Sequence, residues 1–482
     1  MLPTRSSRAG PALAGVGVLV AAATLAPDRA QAQASHPTLD YGPYGVGFAV
    51  MEALDSTRAF RPLRDAGGGI AEETARPVQV SVWYPAEPAA DVPRMAAGEF
   101  RLLADSEIDF DHEPDAAEAA RLRADFIDRA VGFGSDRAWA ERMWDGVTPA
   151  VRGATARRGA HPTVLYFTSA GVSNPLLPAY LASHGFTVAS FPSNGRMTEA
   201  SLEFTPNALT LDTDVGDAGF VYALLRRLPY ADTRRLAVAS FSGGSLAALL
   251  WTMRDMQPAA IVAIEGWERY RRGAEIVSRS VHYDPHRVRV PFLMLERAAD
   301  ETSPAYAKVA DVVGALPYAD IQRLSFRDAT HGDFLSHVPF GHSGHHAEIY
   351  EASAQIVLGF LQSTLDSPIV AEGGPPGARG ETRRAALPPA SEDGLYGVSH
   401  DPAVGPVPTE EELYRLAETD PAALAQAYRE ATRVVPGSTL FRRHVLTRAA
   451  LFASTAADSS AIMAVVADAY PDSTGAARGD GS

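Results

Sequence analysis

The stretch Arg235 to Trp251, RLAVASFSGGSLAALLW, constrains this chain more than any other. Leu236 to Ser240 is an apolar run of strand length. Ser240-Phe241-Ser242-Gly243-Gly244 follows, and an Ala/Leu-rich run of helical length begins at once. A buried strand that turns sharply into a helix holds the residue at the turn in a strained, exposed position and admits only small residues two places to either side. Those places hold Ser240 and Gly244, with Ser242 between them. The pattern is that of a nucleophile elbow in which a serine stands at the usual first glycine.

What flanks this turn sets the fold class. Gly45 to Met51 and Pro77 to Tyr84 have strand character, the second ended by Pro85. Residues 99–150 change to helical periodicity, with helices expected over Asp115 to Val131 and Asp136 to Trp144; this block reads as a helical insertion or lid. From His161 onward short apolar runs alternate with helical ones. Strands are expected at Thr163 to Thr168, Phe186 to Phe191, Leu236 to Ser240, Ala259 to Glu265, Val290 to Leu295 and Asp320 to Phe326. Helices are expected at Pro175 to His184, Asp212 to Arg227, Gly244 to Met256, Ser303 to Leu316 and Ala347 to Leu365. Such alternation implies an α/β fold, a mostly parallel sheet with helices on both faces. Ligands in such sheets bind beyond the carboxyl ends of the strands.

This α/β domain spans residues 36–366. Residues 367–408 are rich in Pro, Gly, Ala and charge without a period, and read as a linker. Residues 409–473 are helical again, and Ala461 to Ser473 resembles the second helix of a tetratricopeptide unit; this is a small helical appendage. Residues 474–482 read as a disordered tail. At the other end, Arg5 and Arg8 precede an uncharged run from Ala9 to Pro27, and Ala30-Gln31-Ala32 offers a cleavage site, so residues 1–32 read as a signal peptide and the protein as exported, to the periplasm or beyond. The most apolar part, Ala12 to Ala26, is short for a bilayer span, which argues against a stable membrane anchor. The chain has no cysteine and a formal charge of −15. That acidity argues against nucleic acid and anionic membranes as partners and leaves a small-molecule or lipid-like substrate.

A serine hydroxyl needs a base to become a nucleophile, and the base needs an acid to orient it. In this chain order the acid and then the histidine follow the serine. His331 follows the strand ending at Phe326 and takes the role of base. The acid is Glu265 or Asp300, each after a strand at the same sheet edge. Glu265 closes an otherwise apolar strand, where an unpartnered carboxylate is costly. Oxyanion donors are expected from the amide of Gly243 and from the loop Ser169-Ala170-Gly171-Val172, with Gly171 allowing close backbone approach. His342, His345 and His346 lack accompanying metal-ligand spacing, so a packing or solvated role is expected. Asp212, Asp214 and Asp217 lack the glycine of a calcium loop and read as acidic residues favouring a helix start. No metal or cofactor is implied.

Beyond these local patterns, the chain resembles the platelet-activating-factor acetylhydrolase and dienelactone-hydrolase-like branch of the α/β-hydrolases over about residues 41–363. The resemblance rests on Tyr41-Gly42-Pro43-Tyr44-Gly45-Val46-Gly47, Asp55-Ser56-Thr57-Arg58, Val82-Trp83-Tyr84-Pro85 and Leu181 to Val188. It implies Ser242 as nucleophile, His331 in His331-Gly332-Asp333-Phe334 as base, and Gly171 and Gly243 as oxyanion donors. It places the acid on Glu265, in Ile264-Glu265-Gly266-Trp267, as a Glu in place of an Asp. Ser169-Ala170 departs from the family's His-Gly. The expected function is a secreted serine hydrolase of short-chain or lipid-like carboxylic esters. The alternatives are a lactone, polyester or amide hydrolase, and an inactive hydrolase-fold binding module.

Overall fold

The computed structural model describes residues 39–61, 72–87, 92–132, 135–168, 174–193, 207–254, 258–298, 312–335, 344–365, 394–404, 410–435 and 441–471. The signal peptide, the loop carrying Gly171, Asp300, His337, His342, residues 303–311 of an expected helix, most of the linker and the tail after 473 lie outside the described residues.

Strands β1 (Gly45–Phe60), β2 (Thr74–Ala86), β3 (Ala150–Arg152), β4 (His161–Thr168), β5 (Thr187–Phe191), β6 (Ala231–Phe241), β7 (Ala260–Ile264), β8 (Pro291–Arg297), β9 (Asp320–Phe326) and β10 (Tyr396–Asp401) form one sheet in the order β10-β9-β8-β7-β6-β4-β5-β2-β1-β3. β1 and β2 pair antiparallel, β2 pairs antiparallel with β5, and β5 through β9 run parallel. With the two short edge strands set aside, this antiparallel start, single exchange of β4 and β5, and parallel run is the α/β-hydrolase fold.

Alternate side chains of each central strand enter different cores. Ala237, Ala239 and Phe241 of β6 pack in one, with α4 (Leu176–Ser183) and α8 (His345–Leu365). Leu236 and Val238 pack in the other, with α5 (Ala208–Leu225), α6 (Gly244–Arg254) and the short α7 (Arg271–Val277). Burial on both faces is why these strands read as unbroken apolar runs. Each large apolar side chain so buried contributes about 1.5–3 kcal/mol.

The inserted segment forms α1 (Ala97–Leu102), α2 (Ala116–Gly132) and α3 (Arg137–Asp145). Asp115 and Asp136 cap the last two through hydrogen bonds from Glu118 N and Trp139 N. Phe100 packs on Phe48 and Trp83, with ring centroids 4.9 and 5.8 Å apart, and Gln79 Nε2 donates to Ser106 Oγ at 2.8 Å. These contacts dock the insertion on β1 and β2, three strands from β6.

Two expectations need correction. Residues 396–401, assigned to the linker, form β10, which pairs antiparallel with β9 and sets Tyr396 against Phe326 at 5.2 Å between ring centroids. The alternating pattern is too short to stand out in a Pro/Gly-rich segment, and its partner lies far back in the chain. Asp212, Asp214 and Asp217 do not stand at a helix start. Asn207 caps α5, accepting from Leu209 N and Thr210 N, so the three acids fall in its later turns, where Asp217 pairs with Arg76 and Arg58.

The appendage holds α9 (Glu410–Thr419), α10 (Pro421–Val434), α11 (Arg443–Leu451) and α12 (Ala456–Ala469). α9 and α10 are separated at Asp420-Pro421, because Asp420 caps the second helix, accepting from Ala423 N, and Pro421 fits its first turn. Its core of Leu424, Phe441 and Ile462 includes Tyr318 from the segment before β9, and Arg442 Nη2 donates to the Arg254 carbonyl at 3.2 Å.

Candidate active site

β6 ends at Phe241 and α6 starts at Gly244, so the chain reverses direction within Ser242 and Gly243. Ser242 takes φ 54°, in the left-handed region that costs a non-glycine residue energy. Neighbouring bonds over-determine the turn. Ser242 N donates to the Ile264 carbonyl at 3.0 Å, and Trp267 N and Ser245 N both donate to the Ser242 carbonyl. Gly244 is required by contact, since a Cβ there would lie 2.6 Å from the Phe167 carbonyl oxygen. At the other flank Ser240 is tolerated because its hydroxyl donates to the Val262 carbonyl of β7 at 3.1 Å.

The same edge of the sheet carries the partners. His331 begins a 3₁₀ turn, His331–Phe334, after β9. Its Nε2 lies 3.0 Å from Ser242 Oγ, and its Nδ1 lies 2.9 Å from Glu265 Oε2. Phe241 packs on the imidazole with ring centroids 4.9 Å apart. Asp333 stiffens the turn. Its Oδ2 accepts from Thr330 N at 2.6 Å, and its Oδ1 lies 2.9 Å from His346 Nδ1 on α8. His345 Nε2 lies 3.1 Å from the Arg327 carbonyl.

Glu265 stands one residue past β7 with φ 47°, its amide donating to the Leu295 carbonyl at 2.7 Å. Its side chain is fully buried. Arg269 Nη1 donates to Oε1 at 2.9 Å and Arg297 N donates to the same oxygen at 3.0 Å, leaving Oε2 for His331. Burial alone would raise the carboxyl pKa; the hydrogen bond with His331, the Arg269 charge and the Arg297 amide outweigh it and hold the group below its ordinary range. The carboxylate is therefore ionised and fixes His331 with a proton on Nδ1, leaving Nε2 to accept from the serine hydroxyl.

Ser242, His331 and Glu265 thus form one hydrogen-bonded chain, assembled from three strand ends. Gly243 immediately precedes α6, whose first amides carry the positive end of the helix dipole, a setting suited to negative charge beside Ser242. Arg269 and Arg297 escaped the sequence reading, while Asp333 entered it only as part of the His331 motif and His346 only as a packing or solvated residue. Arg269 alone had a local signal, standing four residues after Glu265.

Against proteins already known, no family model matches the sequence and no curated protein matches it. Among solved structures, a ferulic acid esterase from Streptomyces cinnamoneus is similar at 16% identity and a TM-score of 0.47, over 76% of this chain and 97% of that one. A puromycin-hydrolyzing peptidase of Mycobacterium tuberculosis is similar at 16% identity and a TM-score of 0.35, over 64% of this chain and 39% of that one.

Proposed function

We propose that this protein is a serine hydrolase that cleaves carboxylic esters of short-chain or lipid-like acyl groups through an acyl-enzyme. The reading rests on one observation: Ser242, on a strained elbow, lies 3.0 Å from the imidazole Nε2 of a histidine whose Nδ1 is held by a buried, ionised glutamate.

In this mechanism His331 takes the Ser242 proton as Oγ attacks the ester carbonyl. The carbonyl oxygen becomes an oxyanion beside the amide of Gly243, with Gly171 proposed as the second donor. Glu265 stabilises the imidazolium without taking its proton. His331 then protonates the departing alcohol. Water, deprotonated by the same imidazole, attacks the acyl-serine, and His331 returns the proton to Ser242 as the carboxylic acid leaves. Within this class we place the chain with the acetylhydrolase and dienelactone-hydrolase-like branch, on the Ile264-Glu265-Gly266-Trp267 segment and the amino-terminal patterns. We also propose export after removal of residues 1–32. No helix among the described residues is long and apolar enough to cross a membrane.

A fluorophosphonate probe should label the protein, and Ser242→Ala should abolish labelling and lower kcat/KM on a panel of esters of graded acyl length by at least about four orders of magnitude. Absence of labelling, or unchanged turnover in Ser242→Ala, would overturn the hydrolase reading and favour a binding module.

A further inference from the structure

Behind the elbow, on the α5 side, lies a small cavity lined by Asp214 and Ser193 together with Gly243, Gly244, Phe167 and Phe191. Its volume of about 10 Å³ suits one water-sized group. Asp214 is only 6% exposed. Its Oδ2 accepts from Ser193 Oγ at 2.7 Å, while its Oδ1 is buried and accepts no hydrogen bond among the described residues. A buried acceptor without a partner is costly, which points to a donor supplied from outside the chain.

The charges around Asp214 narrow the choice of donor. Arg76 grips Asp217 with both ends of its guanidinium, at 2.7 and 2.6 Å, and Arg58 pairs with Asp55 at 2.6 Å and with Asp217 at 2.7 Å. Two arginines therefore serve two aspartates, and Asp214 is the carboxyl left over. Burial and the neighbouring Asp217 raise its pKa to about 7, so near neutrality both its forms are accessible. Across the cavity stands the amino-terminal end of α6, which disfavours a cation and offers amides to an oxygen. A hydroxyl meets both walls. It can donate to Asp214 Oδ1 and accept from the α6 end, and Phe167 and Phe191 exclude bulk water around it.

We propose that this cavity is a recognition subsite for a hydroxyl carried within two carbons of the reacting carbonyl, read by Asp214, so that the natural substrates are esters of 2- or 3-hydroxy acids. Gly243, which lines the cavity, directly follows the proposed nucleophile, and the proposal places the hydroxyl on the acyl part bonded to Ser242 rather than on the leaving alcohol. The proposal rests on the ester-hydrolase reading above and names its substrate class. Asp214 is here a specificity-determining residue.

The test compares kcat/KM for ethyl butanoate, ethyl 2-hydroxybutanoate and ethyl 3-hydroxybutanoate, each hydroxy ester as separate enantiomers, by titration of released acid. A site built around a hydrogen bond to a substrate hydroxyl rejects the analogue lacking it strongly. At least one hydroxy ester should exceed the plain ester by about tenfold or more. The ratio should collapse toward one in Asp214→Leu, or in Asp214→Ala if the first does not fold. Turnover of plain and hydroxy esters alike by the unaltered protein overturns the subsite and leaves the hydrolase reading intact. No turnover of any ester overturns both. A ratio that survives in a folded Asp214 variant assigns recognition elsewhere and overturns the proposal. The comparison in the unaltered protein needs no variant, so it decides even if neither substitution folds.

Discussion

Glu265 Oε2 lies 2.9 Å from His331 Nδ1, while Glu265 Oε1 takes hydrogen bonds from Arg269 and the Arg297 amide. The carboxylate thus has both oxygens occupied, and only one faces the imidazole. Glu265 stands one residue beyond β7, in a left-handed turn with φ 47°.

Glu265→Gln should fold and lower kcat/KM by about three to four orders of magnitude, because the amide cannot hold the Nδ1–H tautomer or stabilise the imidazolium. Asp300→Asn should stay within a few-fold of the parent. Steady-state kinetics on one ester, with circular dichroism as the folding control, would transfer the acid role if the two results were reversed.

Arg269 is 8% exposed and touches Glu265 directly. Arg269→Met should destabilise the fold by about 1.5–3 kcal/mol at pH 7, the usual range for a lost hydrogen bond to a charged group. Glu265 has a lowered pKa in the folded state, so its contribution is present above the ordinary carboxyl range and is lost as pH falls through the folded value. The deficit of the variant should therefore shrink below about pH 4. Urea unfolding at pH 7 and pH 3.5 measures both; a deficit that grows on acidification contradicts the assignment.

Asp214 behaves in the opposite sense. Its folded pKa is raised to about 7, so between the ordinary carboxyl value and 7 the folded chain binds more protons than the unfolded chain. Its contribution to stability should fall as pH rises through that window. Asp214→Asn removes the titration. The stability of the variant relative to the parent should increase by about 2–4 kcal/mol between pH 4 and pH 7.5. Parallel stability curves for the two proteins would show that Asp214 titrates normally.

The appendage and the strand before it should separate on truncation. A chain ending at residue 366 lacks β10, exposing the edge of β9 and the Phe326 face that leads into the His331 turn. It should melt lower and lose most activity. A chain ending at residue 404 keeps β10 and should retain most activity. Equal activity of the two would make β10 dispensable to the site.

Read alone, the amino-acid sequence determined what local chemistry determines. Ser242 was legible because strand, small residues and helix are adjacent, so the strained turn is written in consecutive positions. The strand and helix alternation specified the sheet class, and chain order directed attention to His331. The cost of burying a carboxylate at the end of an apolar strand singled out Glu265. Tertiary structure alone decided what depends on pairs distant in the chain. Arg76 on β2 meets Asp217 on α5 at a separation of 141 residues, and that pairing set two of the three acids read as helix-dipole partners, Asp214 and Asp217, in a buried network with Asp214 left over. Arg297 contributes a backbone amide to Glu265, a role any residue type can fill and no composition reveals. β10 exists because β9 offers an unpaired edge, not because its own six residues insist on a strand. Local propensity is a weak force until a partner surface is present, and the partner's position is a property of the folded chain.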